Sequence, residues 1–174
     1  NVYLGTVHRL DRPTTGLVMF AKTSKALSRL NQLFVSKDVK KTSWALVDNK
    51  PPKTNDTLIH WLKKNTKNNK SYAHNTDIQG SKKAILHYKQ IKVLQNYVLL
   101  EVMLETGRHH QIRAQLSSIG SSIKGDLKYG AKRSNKDGSI HLHARKIAFT
   151  HPVNKEKIEI TSPVPNDSIW EACL

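Results

Sequence analysis

An α+β fold, with a mixed and mainly antiparallel central sheet flanked by helices and loops, is what this 174-residue sequence predicts. Three observations carry that expectation. Two pairs of alternating segments stand as hairpins, residues 83–93 with 97–104 and residues 140–149 with 157–161. A few helical segments are interspersed without the strict strand-helix alternation of a doubly wound sheet. The length suffices for one sizeable core, so residues 1–174 read as a single domain.

The elements follow in chain order. Residues 16–22 hold the apolar run Leu17, Val18, Met19, Phe20, Ala21 between turn residues, which predicts a strand buried on both faces. Ser24 is expected to cap a helix in which Ala26, Leu27, Leu30, Leu33 and Phe34 recur at helical spacing, with Lys25, Arg29 and Lys37 outward. Residues 41–47 alternate around Trp44 and Leu46 as a strand, and residues 48–56, with Pro51 and Pro52, form a loop. A short helix is predicted over 57–64. Lysine and asparagine dominate the stretch from Lys63 to Lys70, so residues 63–81 read as a surface loop or a ribbon ordered by a ligand. The first hairpin turns at Gln95-Asn96, with Ala84, Leu86 and Tyr88 on one face opposite Leu100, Val102 and Leu104. Ile112, Leu116 and Ile119 predict a helix over 110–119, stopped by Gly120. Residues 124–138 are a loop, and the last hairpin turns at Pro152-Val153-Asn154.

Charge points to the partner. Lys and Arg number 29 against 13 Asp and Glu, a formal net charge of +16, which favours a polyanion and nucleic acid first. A membrane is the weaker option, because no apolar run approaches the ~20 residues that span a bilayer. Aromatic residues are few, so recognition is expected through shape, phosphates and an extruded base more than through stacking. Cys173 is the sole cysteine, which suits a reducing cytoplasm. With no initial methionine and no leader, the chain reads as N-terminally truncated.

Two charged clusters carry the candidate chemistry. In His8-Arg9-Leu10-Asp11-Arg12-Pro13-Thr14-Thr15-Gly16 a carboxylate stands between two arginines where charged sequence gives way to apolar sequence. An aspartate in such a turn can be a helix cap or a surface ion pair. Its place at the edge of the core favours chemistry, since a carboxylate there needs a cation to stay ionised. Gly16 would permit close approach of backbone to a ligand. The second cluster, Thr106-Gly107-Arg108-His109-His110-Gln111-Ile112-Arg113, precedes and opens a helix, where free N–H groups and arginine favour an anion, either a phosphate or Asp11 itself. His109, His110, His141 and His143 lack an acidic third ligand at helical spacing, so no metal is expected.

These residues resemble the RluA family of RNA pseudouridine synthases. The likeness rests on His8-Arg9-Leu10-Asp11 with Pro13-Thr14-Thr15-Gly16-Leu17, on Lys41 to Val47, on Thr106 to Arg113 and on Gly125-Asp126-Leu127-Lys128-Tyr129-Gly130, in that order over essentially the whole chain. The resemblance implies the pseudouridine synthase catalytic fold and a cofactor-free isomerisation of uridine in ribosomal or transfer RNA. In it the N1–C1′ bond breaks, the uracil rotates and C5 is joined to C1′. Asp11 matches the essential aspartate, as nucleophile or as base at the ribose. Arg108 or Arg113, with Arg108 favoured, would hold it ionised, and Arg9 matches an arginine that fills the gap left by the extruded base. Ser43 stands where the family usually has a tyrosine that stacks on the uracil, and Trp44 points to the opposite face of a strand.

Expected RNA contacts are His8, Arg9, Arg12, Lys41, His109, Gln111 and Arg113 around the site, with Lys63, Lys64, Lys67 and Lys70 farther along. A monomer without an obligate protein partner is expected from the basic surface. Two rivals stand beside the isomerase: an RNA-binding protein of the same fold with activity reduced or lost through Ser43, and, more distantly, a metal-dependent nuclease using His109, His110 and Asp126.

Overall fold

A computed structural model describes residues 2–174. In chain order its elements are β1 (Gly5–Thr6), β2 (Thr15–Gly16), β3 (Phe20–Ala21), α1 (Ser24–Val35), β4 (Lys40–Val47), β5 (Asn55–Asn65), β6 (Lys70–His74), β7 (Lys82–Val93), β8 (Val98–Leu104), α2 (Gln111–Ser118), β9 (Leu142–Thr150), β10 (Lys157–Thr161) and α3 (Ser168–Glu171). Seven strands form a continuous antiparallel sheet in the order β10-β9-β4-β8-β7-β5-β6, and β2 adds to β9 in parallel. β1 and β3 pair separately as a two-stranded ribbon beside α1. The mixed, mainly antiparallel sheet is therefore as expected. Among the described residues no helix is long and apolar enough to cross a membrane.

The sheet is covered on both faces, as its period of two requires. On one face Ala45, Val47, Leu86, Tyr88, Leu100 and Val102 pack under Ile112 and Leu116 of α2. On the other, Leu46 and Leu99 pack against Trp170 and Cys173. α3, which no sequence signal announced, caps itself with Asp167, whose Oδ1 accepts from the N–H groups of Ile169 and Trp170 at 2.9 and 3.2 Å.

Both predicted hairpins form, and Gln95-Asn96 turns the first, with Leu94 N–H donating to the Tyr97 carbonyl at 2.8 Å. Some expectations are corrected. Residues 57–64 are strand, not helix: Leu58, His60 and Leu62 are buried alternately in β5, paired with β7. Leu58, Trp61 and Leu62 also fit helical spacing, and sheet pairing decided between the two periods. Of the two forms expected for the lysine-rich stretch it takes the ribbon, as the tip of the β5–β6 hairpin, with Lys63 opposite Tyr72 and Lys64 opposite Ser71. Backbone pairing holds it, and Leu62, Ser71 and Ala73 are what it turns inward.

Residues 16–22 are not one buried strand. The run splits between β2, which pairs with β9, and β3, which pairs with β1, leaving Val18 and Phe20 exposed and only Ala21 buried. α1 is capped by Thr23 rather than Ser24, with Ala26 N–H donating to Thr23 Oγ1 at 3.1 Å. Gly16 does allow a close approach, but to backbone of the same chain: at φ 116° a Cβ there would lie 2.4 Å from the Ala144 carbonyl oxygen.

Candidate active site

A cleft of about 390 Å³ opens beside the N-terminal end of α2, lined by both charged clusters together with Lys41, Thr42, Ser43, Leu142 and Ala144. The Asp11 segment is fastened to the sheet at its rear. Ile140 N–H donates to the Pro13 carbonyl at 2.9 Å, and Leu17 N–H to the Ala144 carbonyl at 3.0 Å. Thr14 N–H closes a turn onto the Asp11 carbonyl at 2.9 Å. His8 anchors the front, its Nε2 accepting the Met19 N–H at 3.0 Å while its ring stacks on Phe34. Accepting there requires an unprotonated nitrogen. Burial, helped by Lys41, lowers the His8 pKa to about 4.

Asp11 keeps 28 % of its side chain exposed and receives Arg113 Nη1 at 3.3 Å. Arg113 is 4 % exposed and is held by a second carboxylate: its Nε and Nη2 donate to the two oxygens of Asp126 at 2.7 and 2.9 Å. Its guanidinium also lies 4.9 Å from the centre of the Tyr129 ring. Burial disfavours the arginine's charge, but the hydrogen bonds and charge of Asp126, with Asp11 adding to them, outweigh this and raise its pKa.

Of the two candidate arginines it is therefore Arg113, not the favoured Arg108, that meets Asp11. Arg108 is exposed, and its Nε donates instead to the Lys83 carbonyl at 2.9 Å. Helical geometry explains the choice: in the first turn of α2 Arg113 points into the protein, whereas Arg108 belongs to the preceding loop.

Gln111 lines the cleft but is buried, with its carboxamide engaged inside the protein. Its Oε1 accepts from Thr106 Oγ1 at 2.8 Å and Arg108 N–H at 3.0 Å, and its Nε2 donates to the Ile85 carbonyl at 3.0 Å. The expected RNA contact at Gln111 is thus a brace for the loop. His109 and His110 stack on each other with centroids 3.7 Å apart, and His110 adopts the left-handed region at φ 51°. Burial, with Arg113 adding to it, lowers the His110 pKa to about 4 against the pull of Asp11. Burial and then Lys64 lower that of His109. The nuclease set does not converge, because both Asp126 oxygens are taken by Arg113.

Ser43 shares the cleft face of β4 with Ala45 and Val47, while Trp44 packs on the opposite face, where Arg145 lies 4.5 Å from its ring centre. Lys41 lines the cleft beside Phe34, and burial lowers its pKa. Arg9 lines the same cleft and is exposed; Arg12 is exposed outside it. Lys63, Lys64 and Lys67 form a separate groove of about 580 Å³ on the β5–β6 hairpin with Tyr72 and His74. Lys70 instead lies over the rings of Tyr72 and Tyr129 at 5.4 and 5.1 Å.

Three residues enter the site in roles the sequence did not assign, although Asp126 and Tyr129 belong to the Gly125–Gly130 motif. Asp126 as a clamp on Arg113, Tyr129 beneath the guanidinium, and Ser71 bonded to both Tyr129 and His109 are brought in by tertiary packing. The assembly sets a partly exposed carboxylate in a concave, basic cleft, with a fixed guanidinium behind it.

Comparisons with known proteins agree on one relationship. A family model described as RNA pseudouridylate synthase matches residues 1–118. The chain is 33 % identical over 171 residues to ribosomal large subunit pseudouridine synthase D of Zymomonas mobilis, covering 94 % of this chain and 53 % of that protein. It is 34 % identical over 181 residues to ribosomal large subunit pseudouridine synthase C of Buchnera aphidicola, covering all of this chain and 56 % of that one. The chain thus spans about half the length of the curated relatives it matches. The solved structure of human RNA pseudouridylate synthase domain containing 4 shares the fold, with a TM-score of 0.80 at 21 % identity over 98 % of this chain and 75 % of that one.

Proposed function

Because this chain belongs to the RNA pseudouridylate synthase family, we propose that the protein isomerises specific uridines to pseudouridine in structured RNA, ribosomal or transfer, with Asp11 as the reacting carboxylate. The observation that carries the reading is the line Asp126–Arg113–Asp11, in which a buried guanidinium fixed by one carboxylate donates to the other at the cleft.

The reaction breaks N1–C1′, turns the uracil, forms C5–C1′, and moves one proton from C5 to N1. Substrate and product have the same composition, so no oxidant, reductant or group donor enters the balance. Asp11 serves either by attacking as nucleophile or by taking a proton at the ribose, and both routes need it ionised. The uridine must leave its stack to reach a carboxylate lining a cleft, and Arg9, which lines the same cleft, would take the vacated position. RNA is the partner that the +16 charge favours, the same charge favours a monomer, and the single cysteine suits a reducing cytoplasm.

Tritium release from C5-labelled uridine in ribosomal or transfer RNA tests the reading in the intact protein. Asp11→Asn should reduce turnover by about a thousandfold or more while RNA is still bound. Turnover unchanged by that substitution would refute Asp11.

Ser43 on the cleft face supports a second reading, an RNA-binding protein of this fold with weakened chemistry. It predicts salt-sensitive binding without tritium release, and robust release by the Ser43 protein removes it.

A further inference from the structure

We infer that His110 is a positioning residue for Asp11: a neutral imidazole whose Nε2–H is presented to the carboxylate because a hydrogen-bond chain from the β6 backbone through Tyr129 fixes its tautomer. The inference rests on the reading of Asp11 given above. The chain begins at Ser71 N–H, which donates to the Tyr129 hydroxyl oxygen at 2.8 Å. Tyr129 is 2 % exposed, so its own O–H needs an acceptor inside the protein. Among the described residues the acceptor at hand is His110 Nδ1, 3.0 Å away.

A nitrogen that accepts this bond carries no proton. In a neutral ring the proton is then on Nε2. The ring is neutral because burial and the neighbouring Arg113 hold its pKa at about 4. His110 Nε2 lies 3.8 Å from Asp11 Oδ2, a distance that a bound nucleotide would need to shorten for a full hydrogen bond. His109 backs the ring by stacking on it and is itself tied to Ser71 Oγ at 2.8 Å.

The arrangement also distinguishes the two oxygens of Asp11. Arg113 Nη1 and His110 Nε2 both face Oδ2, at 3.3 and 3.8 Å. Both donors thus converge on one oxygen of the carboxylate. The left-handed backbone of His110 is a local cost of the kind that collects at functional sites.

The backbone conformation supplies a discriminating test. Asparagine suits the left-handed region best among non-glycine residues, but its amide nitrogen mimics Nδ1. Glutamine suits that backbone less well, yet its amide nitrogen reaches the place of Nε2. If His110 only shapes the loop, His110→Asn should be the better replacement; if it supplies the donor, His110→Gln should be.

In the intact protein, with tritium release as the assay, His110→Asn and Tyr129→Phe should each lower kcat about tenfold or more while KM for RNA changes by less than about twofold. His110→Gln should retain most of the wild-type kcat. Nitrogen-15 NMR of labelled histidine at neutral pH should show His110 bare at Nδ1 and protonated at Nε2. Asn equalling or exceeding Gln, or a proton on Nδ1, overturns the inference. Asp11→Asn measured alongside separates that failure from failure of the functional reading: it stays inactive if only the His110 inference fails and keeps its turnover if the functional reading fails.

Discussion

Arg113 grips Asp126 twice, at 2.7 and 2.9 Å, and reaches Asp11 once, at 3.3 Å, so the arginine belongs first to the buried carboxylate and only second to the cleft. Asp126 is 1 % exposed, whereas Asp11 remains partly open to solvent. The two acidic residues therefore differ in setting: one is locked in the interior, and the other is open to the cleft.

Substitution should expose that division. Asp126→Asn removes the principal countercharge of a buried guanidinium and is expected to cost about 3–5 kcal/mol of stability. Asp11→Asn leaves the buried pair intact and should cost less than about 1 kcal/mol. Urea unfolding of the two variants measures the difference; equal destabilisation would mean that Asp11 is as structural as Asp126.

Gly16 should tolerate no side chain. Its φ is 116°, and a Cβ added there would meet the Ala144 carbonyl oxygen at 2.4 Å, which leaves no room. Gly16→Ala should destabilise the protein by about 1–3 kcal/mol and displace the Asp11 segment, whose fastening at Leu17 N–H lies one residue away. Thermal unfolding and tritium release together check this, with both expected to fall.

Stability should depend on pH through the buried histidines. His8 and His110 have pKa values lowered to about 4 from an ordinary 6.5, so the unfolded chain binds more protons than the folded one between those values. Their contribution is fully present above about pH 6.5 and is lost progressively as the pH falls toward 4. His8→Gln keeps an acceptor for the Met19 N–H but removes one titrating group. Urea midpoints between pH 7 and 4.5 should fall less steeply in that variant than in the wild type.

RNA binding should weaken steeply with salt. Neutralising Lys63, Lys64 and Lys67 together to Gln should reduce the magnitude of the log–log salt slope by about 2–3, in proportion to the phosphates they would meet. Filter binding or fluorescence anisotropy across a salt series reads it. An unchanged slope would assign the β5–β6 groove to something other than RNA.

The strand periodicities around residues 83–104 and 140–161 were readable because half-buried antiparallel strands write their packing into every second residue. The two charged clusters, far apart in sequence, do line one cleft. Residues 57–64 misled because Leu58, Trp61 and Leu62 satisfy two periods at once, and the pairing of β5 with β7 chose between them. The Lys-rich stretch left loop and ribbon open, and backbone pairing with few apolar side chains decided for the ribbon.

What the sequence by itself determined was the sheet-dominated fold, the charge and the carboxylate at position 11. What only the tertiary structure decided was which arginine serves it, that Asp126 holds that arginine, and that Tyr129 and Ser71 orient His110. The physical reason is that local patterns encode which face of an element is buried, whereas the pairing of charges on different elements depends on where packing finally sets them side by side.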